Sequence, residues 1–462
     1  MRVLTRVPLF AGLVFAPTLT FGQAIGLPAA GVQAPSPDYA QRAPIDVKNV
    51  PLGYAPGSIT LDAATGAAID APVGSGASNS ARPSGSSFPG NDDQFDIDNA
   101  RPNRSTVDGL DTLATFDGMF VAQAGPTTGR NYRFTMIGND PRLGGTTPYP
   151  ANISEVSLQL LNADGTVFKE VPFAPFEKLT LESPNFEPLN YRSGAHIEFA
   201  DAVHRAEFYN TMKNDWHTLL IPKVKNKVTL SVPYYVNLRK PDGTVIKARA
   251  YFSGTASDGN TFVLMLQPLF NFIFDNQVVN EINAGNFTTN GVNSLLFPNT
   301  FLYGLNQSNP NLPGSCCVLG FHTYFMDSGF PEPRWVTQYA SYISPGLFGG
   351  GFEDVTAFSH ETSEAFDDPW VDNPTPNWQF PGVPANSKTC QANLEVGDPV
   401  EVVGNSTAAI EVKEGKFDKI YHPQNEALYQ WFNMGATSSA IDGAYSFPDE
   451  TALPHSALPC PQ

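Results

Sequence analysis

Basic residues are scarce in this chain and cysteines scarcer still. After the first two dozen residues, no apolar run is long enough to cross a bilayer. Lys+Arg number 27 against Asp+Glu 45, a formal charge of −18, so the positive field that a phosphate backbone requires is missing and nucleic acid is not expected as a partner. Only four cysteines occur in 462 residues, with no C-x-x-C pair, which leaves little signal for a zinc site of four thiolates. The nucleophile elbow G-x-S-x-G and the phosphate-cradling G-x-x-x-x-G-K are absent too. What is present sets the class. An apolar share of 41% and an aromatic share of 12% suffice for sizeable cores, which excludes a wholly disordered protein. Gly and Pro together make about 17% of the chain, above the usual share of about 12%, and favour strands, turns and long loops over a helical bundle.

The chain opens MRVLTRVPLFAGLVFAPTLTFGQA. Arg2 and Arg6 give a basic start, an apolar stretch follows from Val7 to Thr20, and the small residues Thr20, Gly22 and Ala24 offer cleavage positions. Residues 1–22 are therefore expected to be a signal peptide. The mature protein is expected to be secreted, periplasmic or extracellular, with no membrane insertion after cleavage. In an oxidising compartment the cysteines are expected to form disulfides. A bond between the adjacent Cys316 and Cys317 closes an eight-membered ring that strains the peptide, so one is expected to reach Cys390 and the other Cys460.

Composition and periodicity predict an α+β protein in three stretches. Residues 23–110 are rich in Ala, Gly, Pro, Ser and Asp and read as a disordered linker or propeptide-like segment. Residues 111–265 alternate in strand fashion, with one helix at 199–212, and predict a β-rich sandwich-like unit. His196, His204 and His217 fall there with no carboxylate spaced for metal, and are expected to be hydrogen-bonded structural residues. Residues 266–462 change character: a strand and a buried helix over Phe262–Asn283, strands at Leu295–Tyr303, Val318–Phe325 and Val336–Ile343, then a glycine-rich loop and a helix over Phe352–Asp368. Another short helix is expected at Asn425–Phe432.

That Phe352–Asp368 helix carries the chemistry. Asp354 can cap its start, and Asp368 before Pro369 is a natural stop. Val355, Phe358, Thr362, Ala365 and Phe366 share one face, which leaves His360, Glu361 and Glu364 on the other. Residues i and i+4 stand one above the other, so His360 and Glu364 can grip one ion while Glu361 addresses the water it activates. This is the logic of H-E-x-x-H with Glu364 in place of the second His. A third ligand must come from elsewhere. The loop Cys390-Gln-Ala-Asn-Leu-Glu395-Val-Gly-Asp398 favours Glu395, with Asp398 as second choice or as the group orienting His360. Zinc is the expected ion by the H-E-x-x-H logic. One His and two carboxylates leave a net neutral site with a divalent ion, a poorer Lewis acid for which harder ions compete, so calcium, with Asp367 or Asp368, is the rival. The bland alternative is a solvated polar face that binds no ion.

The order of elements looks like a zincin metallopeptidase core: a strand with Gly320-Phe-His322, a second with Gln338-Tyr-Ala-Ser-Tyr342, a glycine-rich loop, the His-Glu-x-x-Glu helix and a carboxylate loop. The segments SCCVLGFHTY (315–324), YASYIS (339–344), AFSHETSEAFDDPW (357–370) and CQANLEVGDP (390–399) also resemble the exordium (phosphate-induced) proteins and uncharacterised secreted bacterial relatives. The resemblance spans roughly Leu295–Phe432 and implies an extracellular protein with a zincin-like domain over 266–462. The expected activity is a metal-dependent peptidase acting on a peptide or protein substrate. Its rival is a non-enzymatic exported binding or surface protein with a structural metal or none. His322 is a candidate for polarising the substrate carbonyl or for ligating the metal, and equally for a packed strand position. Tyr339 and Tyr342 are candidates for an oxyanion contact or for the core. His422 and His455 receive no role.

Overall fold

Two sixteen-residue stretches set the frame: Thr146–Leu161 and His217–Val232 pair in parallel along nearly their whole length. The computed structural model describes residue 42 and residues 44–69, 113–327, 333–349, 351–382, 390–414 and 417–460. Its largest sheet has seven strands, labelled here in chain order: β1 (Ile45–Asp46), β2 (Thr146–Leu161), β3 (Val167–Val171), β4 (His217–Val232), β5 (Val292–Pro298), β6 (Gly320–Met326) and β7 (Arg334–Tyr342). Across the sheet the order is β1-β6-β7-β5-β2-β3, and β4 also pairs with β2. Strands β7, β5, β2 and β4 run parallel, whereas β6 is antiparallel to β7. Every residue of β5 is buried, as expected for a parallel strand covered on both faces.

Alternation along the strands sorts their side chains between two helices. On one face, α2 (Gln267–Asn283) lays Phe270 and Phe274 against Phe297 of β5, Tyr339 of β7 and Phe321 and Phe325 of β6. On the other lies α3 (Thr356–Asp367), where Gln338 of β7 donates to Thr362 Oγ1 at 3.2 Å. His322, one residue from Phe321, faces α3 for the same reason. The strand-then-helix reading of Phe262–Asn283 holds: a strand covers Thr261–Leu266 and α2 follows at once. The α+β class also holds, with strand exceeding helix, 41% against 17%.

Three expectations are corrected. The stretch 111–265 is not a self-contained sandwich, because β2 pairs with β5 over Ala151–Glu155 and joins strands from both sides of the expected boundary in one sheet. Part of the presumed linker is folded: Ile45 and Asp46 pair with Phe325 and Met326, Thr60–Asp62 pairs with Asn237–Arg239, and Ile59 and Leu61 are buried. Arg42 fastens this segment with two hydrogen bonds to Asp275, at 2.7 and 3.0 Å. The short apolar stretch suffices because it completes a core built by others. The expected signal peptide and the rest of 23–110 lie outside the described residues. Finally, Cys390 bonds to Cys460 and Cys316 to Cys317. Strand Pro374–Gln379 brings Cys390 and Leu458 opposite Gln379, whereas Cys316 and Cys317 sit in a different sheet.

A third helix, α1 (Phe199–Glu207), leads into the pH behaviour of the fold. Glu198, just before it, accepts a hydrogen bond from Leu220 N of β4 at 2.6 Å, and burial pushes its pKa from 4.5 up to about 8. A carboxyl raised on folding contributes stability that is whole below its unfolded value and lost as pH rises through its folded value. Glu198→Gln is expected to melt with the parent near pH 4.5 and above it at pH 9. Thermal melts across that window check this, and identical pH profiles for the two proteins refute it.

Candidate metal centre

Helix α3 is buried along its full length, Thr356 to Asp367. The bland alternative of a polar face in solvent therefore does not hold. Chain far along the sequence covers that face: the 391–401 loop, with its short helix Asp398–Glu401, and the stretch Gln424–Glu426. Asp354 does not cap the helix as the sequence suggested: Val355 holds the N-cap position, with no side-chain cap hydrogen bond. Asp354, at φ 47°, accepts from the backbone N of Val355 and of His422, and lies 2.9 Å from His422 Nδ1. His422, assigned nothing from sequence, ties the 417–424 chain to the helix start.

Two imidazoles converge on this face, each with one nitrogen engaged and the other turned inward. His360 Nδ1 donates to Gln424 Oε1 at 3.0 Å, and Gln424 in turn donates to the carbonyl of Gly397. That leaves His360 Nε2 facing Glu364 Oε1 at 3.1 Å, Asp398 Oδ1 at 3.8 Å and Glu361 Oε1 at 3.9 Å. His322 Nε2 donates to the carbonyl of Asp368 at 3.1 Å, which turns Nδ1 toward Glu364 Oε2 at 3.3 Å and Glu361 Oε2 and Glu395 Oε2, both at 3.8 Å. The tautomers follow from these partners. Two groups each place one ligand atom per residue within 4.8 Å of one another: His360 with Glu364 and Asp398, and His322 with Glu361 and Glu364.

All six residues singled out from sequence thus meet. Of the two loop carboxylates, Asp398 faces His360, while Glu395 faces His322. Asp367 and Asp368 do not join them. Asp368 accepts from the backbone N of Asp372 and Asn373, and Asp367 turns toward His204, 3.6 Å away. Neither tyrosine is near: Tyr339 donates to the carbonyl of Thr300 on the α2 side, and Tyr342 meets Lys419 Nζ. His217 is the hydrogen-bonded residue expected, 2.8 Å from Asp201. His204 is not. Neither ring nitrogen makes a hydrogen bond, although Asp367 Oδ1 lies 3.6 Å from Nε2 and Glu207 joins them in a group whose ligand atoms lie within 4.8 Å; burial drives its pKa down to about 3. Sequence reasoning also missed Glu401, 3.8 Å from His360 Nδ1, and Gln424. Glu401 was signalled only by its place three residues after Asp398.

The electrostatics follow from burial and crowding. Desolvation opposes protonation of His322, but Glu395, Glu361 and Glu364 outweigh it and raise its pKa well above the ordinary value. Desolvation and Glu364 raise Glu395 and Asp398 strongly, and burial brings Glu401 up to about 7. Among the described residues no Lys or Arg pairs with Glu361, Glu364, Glu395, Asp398 or Glu401. Glu395 keeps both carboxylate oxygens without a hydrogen-bond partner, as do His322 Nδ1, Glu361 Oε2 and Glu364 Oε2. Buried charges without partners are costly, and a divalent cation is what this donor set lacks. Side-chain exposure climbs from 0% at His322 and Glu395 through 6% at His360 and Asp398 to 17% at Glu401, so solvent approaches from the Glu401 end.

Two glycines let the backbone close in. A Cβ on Gly320 would overlap the Glu361 carboxylate, and one on Gly397 would overlap the His360 ring. Gly397 N also donates to Glu364 Oε1 at 3.1 Å. Gly397→Ala is expected to displace the imidazole and weaken metal binding about 10- to 100-fold, the cost typical of lost orienting contacts. Gly404→Ala, with open space around its Cβ, is the control and should bind as the parent does. Metal titration of both variants checks this; equal affinities refute it.

Compared with protein-family models, curated proteins and solved structures, the chain finds no match.

Proposed function

We propose that this chain is an exported metal-dependent hydrolase of the peptidase class. The observation that carries the reading is the convergence of helix-borne His360 and Glu364 with loop-borne Asp398, and Glu361 beside them. Two imidazoles and several carboxylates, with every cysteine in a disulfide, suit zinc or another first-row divalent ion. His360, Glu364 and Asp398 would hold the ion, which when bound would supply Lewis acidity enough to make a water nucleophilic near neutral pH. Gln424 fixes the His360 tautomer so that Nε2 is the ligating atom. Glu361 accepts the proton of the attacking water. Its pKa, raised by desolvation, suits it to hand that proton on to the departing amine.

A peptide is taken as the substrate class from the likeness of the element order to a zincin core. The edge of β6 does not carry it, because Phe321, His322 and Thr323 are 1%, 0% and 0% exposed and Thr323 Oγ1 donates to the Arg42 carbonyl. A structural ion is the second reading, favoured by the near-complete burial of Glu364 and Glu395.

The test is a peptide library incubated with purified protein, with and without a chelator, alongside elemental analysis. Cleavage that stops on chelation and returns with zinc supports the hydrolase. A bound ion with no cleavage in any peptide leaves the structural reading.

A further inference from the structure

The His360 half uses only part of what is buried here. On the far side stands a second imidazole, His322, whose Nδ1 has no hydrogen-bond partner although the ring is fully buried. Its other nitrogen is spent on the Asp368 carbonyl, the arrangement by which proteins aim an imidazole at a cation. Three carboxylates face that free nitrogen: Glu364, Glu361 and Glu395.

Glu364 divides its oxygens between the halves, with Oε1 toward His360 and Oε2 toward His322. Glu361 divides likewise, Oε1 on the His360 side and Oε2 on the His322 side. Both therefore lie between two imidazoles that point at them from opposite directions. Formal charge points the same way. Five carboxylates around neutral imidazoles carry −5; one divalent ion leaves −3 in a volume that solvent reaches only at the Glu401 end, and two leave −1.

We propose that the cluster is a two-ion centre. Beyond the first ion, a second divalent cation is held by His322, Glu361 and Glu364, whose ligand atoms lie within 4.8 Å of one another, with Glu364 as the shared carboxylate and Glu395, 3.8 Å from His322 Nδ1, as a further carboxylate on that side. The donor set of imidazole and carboxylate without thiolate selects manganese, iron or zinc over soft ions such as copper(I). The inference rests on the first half being a metal site, and it extends that reading from one ion to two.

Manganese(II) is the probe, because a pair sharing a carboxylate and an isolated ion give different electron paramagnetic resonance spectra. The full mature chain is stripped with a chelator, loaded with manganese, desalted and analysed for metal. Two ions per chain with an exchange-coupled spectrum are expected. His322→Asn, and the milder Glu395→Gln, are each expected to halve the count and leave the uncoupled six-line signal of a single ion. Circular dichroism establishes that each variant is folded, and the parent's spectrum stands independently of both. One uncoupled ion in the parent overturns the second site and leaves the hydrolase reading standing. No ion at all overturns both. Two coupled ions in a protein that cuts no peptide support the two-ion centre while removing the hydrolase.

Discussion

Glu361→Gln is expected to retain the ion at His360 and to lose hydrolysis by about 10²- to 10⁴-fold, the range a positioned general base contributes. The substitution keeps shape and volume, so the packing against Gly320 is preserved. The three ligating groups of the His360 site are untouched, and only the capacity to accept a proton is removed. The loss should fall on kcat more than on KM, since the substitution removes a proton acceptor that faces the imidazoles and no group assigned to substrate binding. Glu364→Gln provides the contrast. It removes charge from a carboxylate that both imidazoles address, so both the ion and the activity should go. Steady-state kinetics with metal analysis separates the two variants. A Glu361→Gln protein that turns over like the parent would sink the assigned role, whatever ion it holds.

The centre was legible because its core is local. His360, Glu361 and Glu364 occupy one helix turn, and Glu395 and Asp398 share one loop, so the geometry of a turn and of a short connection brings each set together without knowledge of the fold. His322 was legible as a candidate only, because its direction depends on the alternation of β6 and on which helix covers which face. Glu395, favoured as the third ligand beside His360 and Glu364, faces His322 instead and Asp398 takes that place, since the choice is made by where the loop folds back over α3. Long-range effects were missed in the same way. The parallel pairing of β5 with β2 joins residues about 140 positions apart, for example Asn293 with Asn152, and no periodicity encodes it. What covers the polar face of α3 was not legible, because amphipathic spacing says which side differs, not what packs on it. Gln424 and Gly397 carry no motif at all; they matter only through contact with His360.

Removing the metal is expected to lower Tm by about 5 °C. Without a cation, five buried carboxylates face one another with only two imidazoles between them, and breaking buried ion pairs costs about 3–5 kcal/mol. At roughly 1–1.5 °C per kcal/mol for a chain of this length, the shift lies outside the error of a melt. The stripped protein has a partial remedy in taking up protons, and this gives the effect a pH signature. Glu395 and Asp398 are raised well above the ordinary carboxylate values by desolvation and by Glu364, and burial brings Glu401 to about 7. Acids raised on folding favour the folded state below their unfolded pKa and lose that contribution as pH climbs through the folded one. The stripped protein should therefore lose stability between about pH 4.5 and pH 7 and above. The ion requires deprotonated ligands, so its own contribution grows over the same range. The gap in Tm between loaded and stripped protein is thus expected to widen from pH 5 to pH 8. Parallel melts at both values, in chelator and in zinc, measure it. A gap that stays constant or narrows would mean that these carboxylates are not what holds the ion.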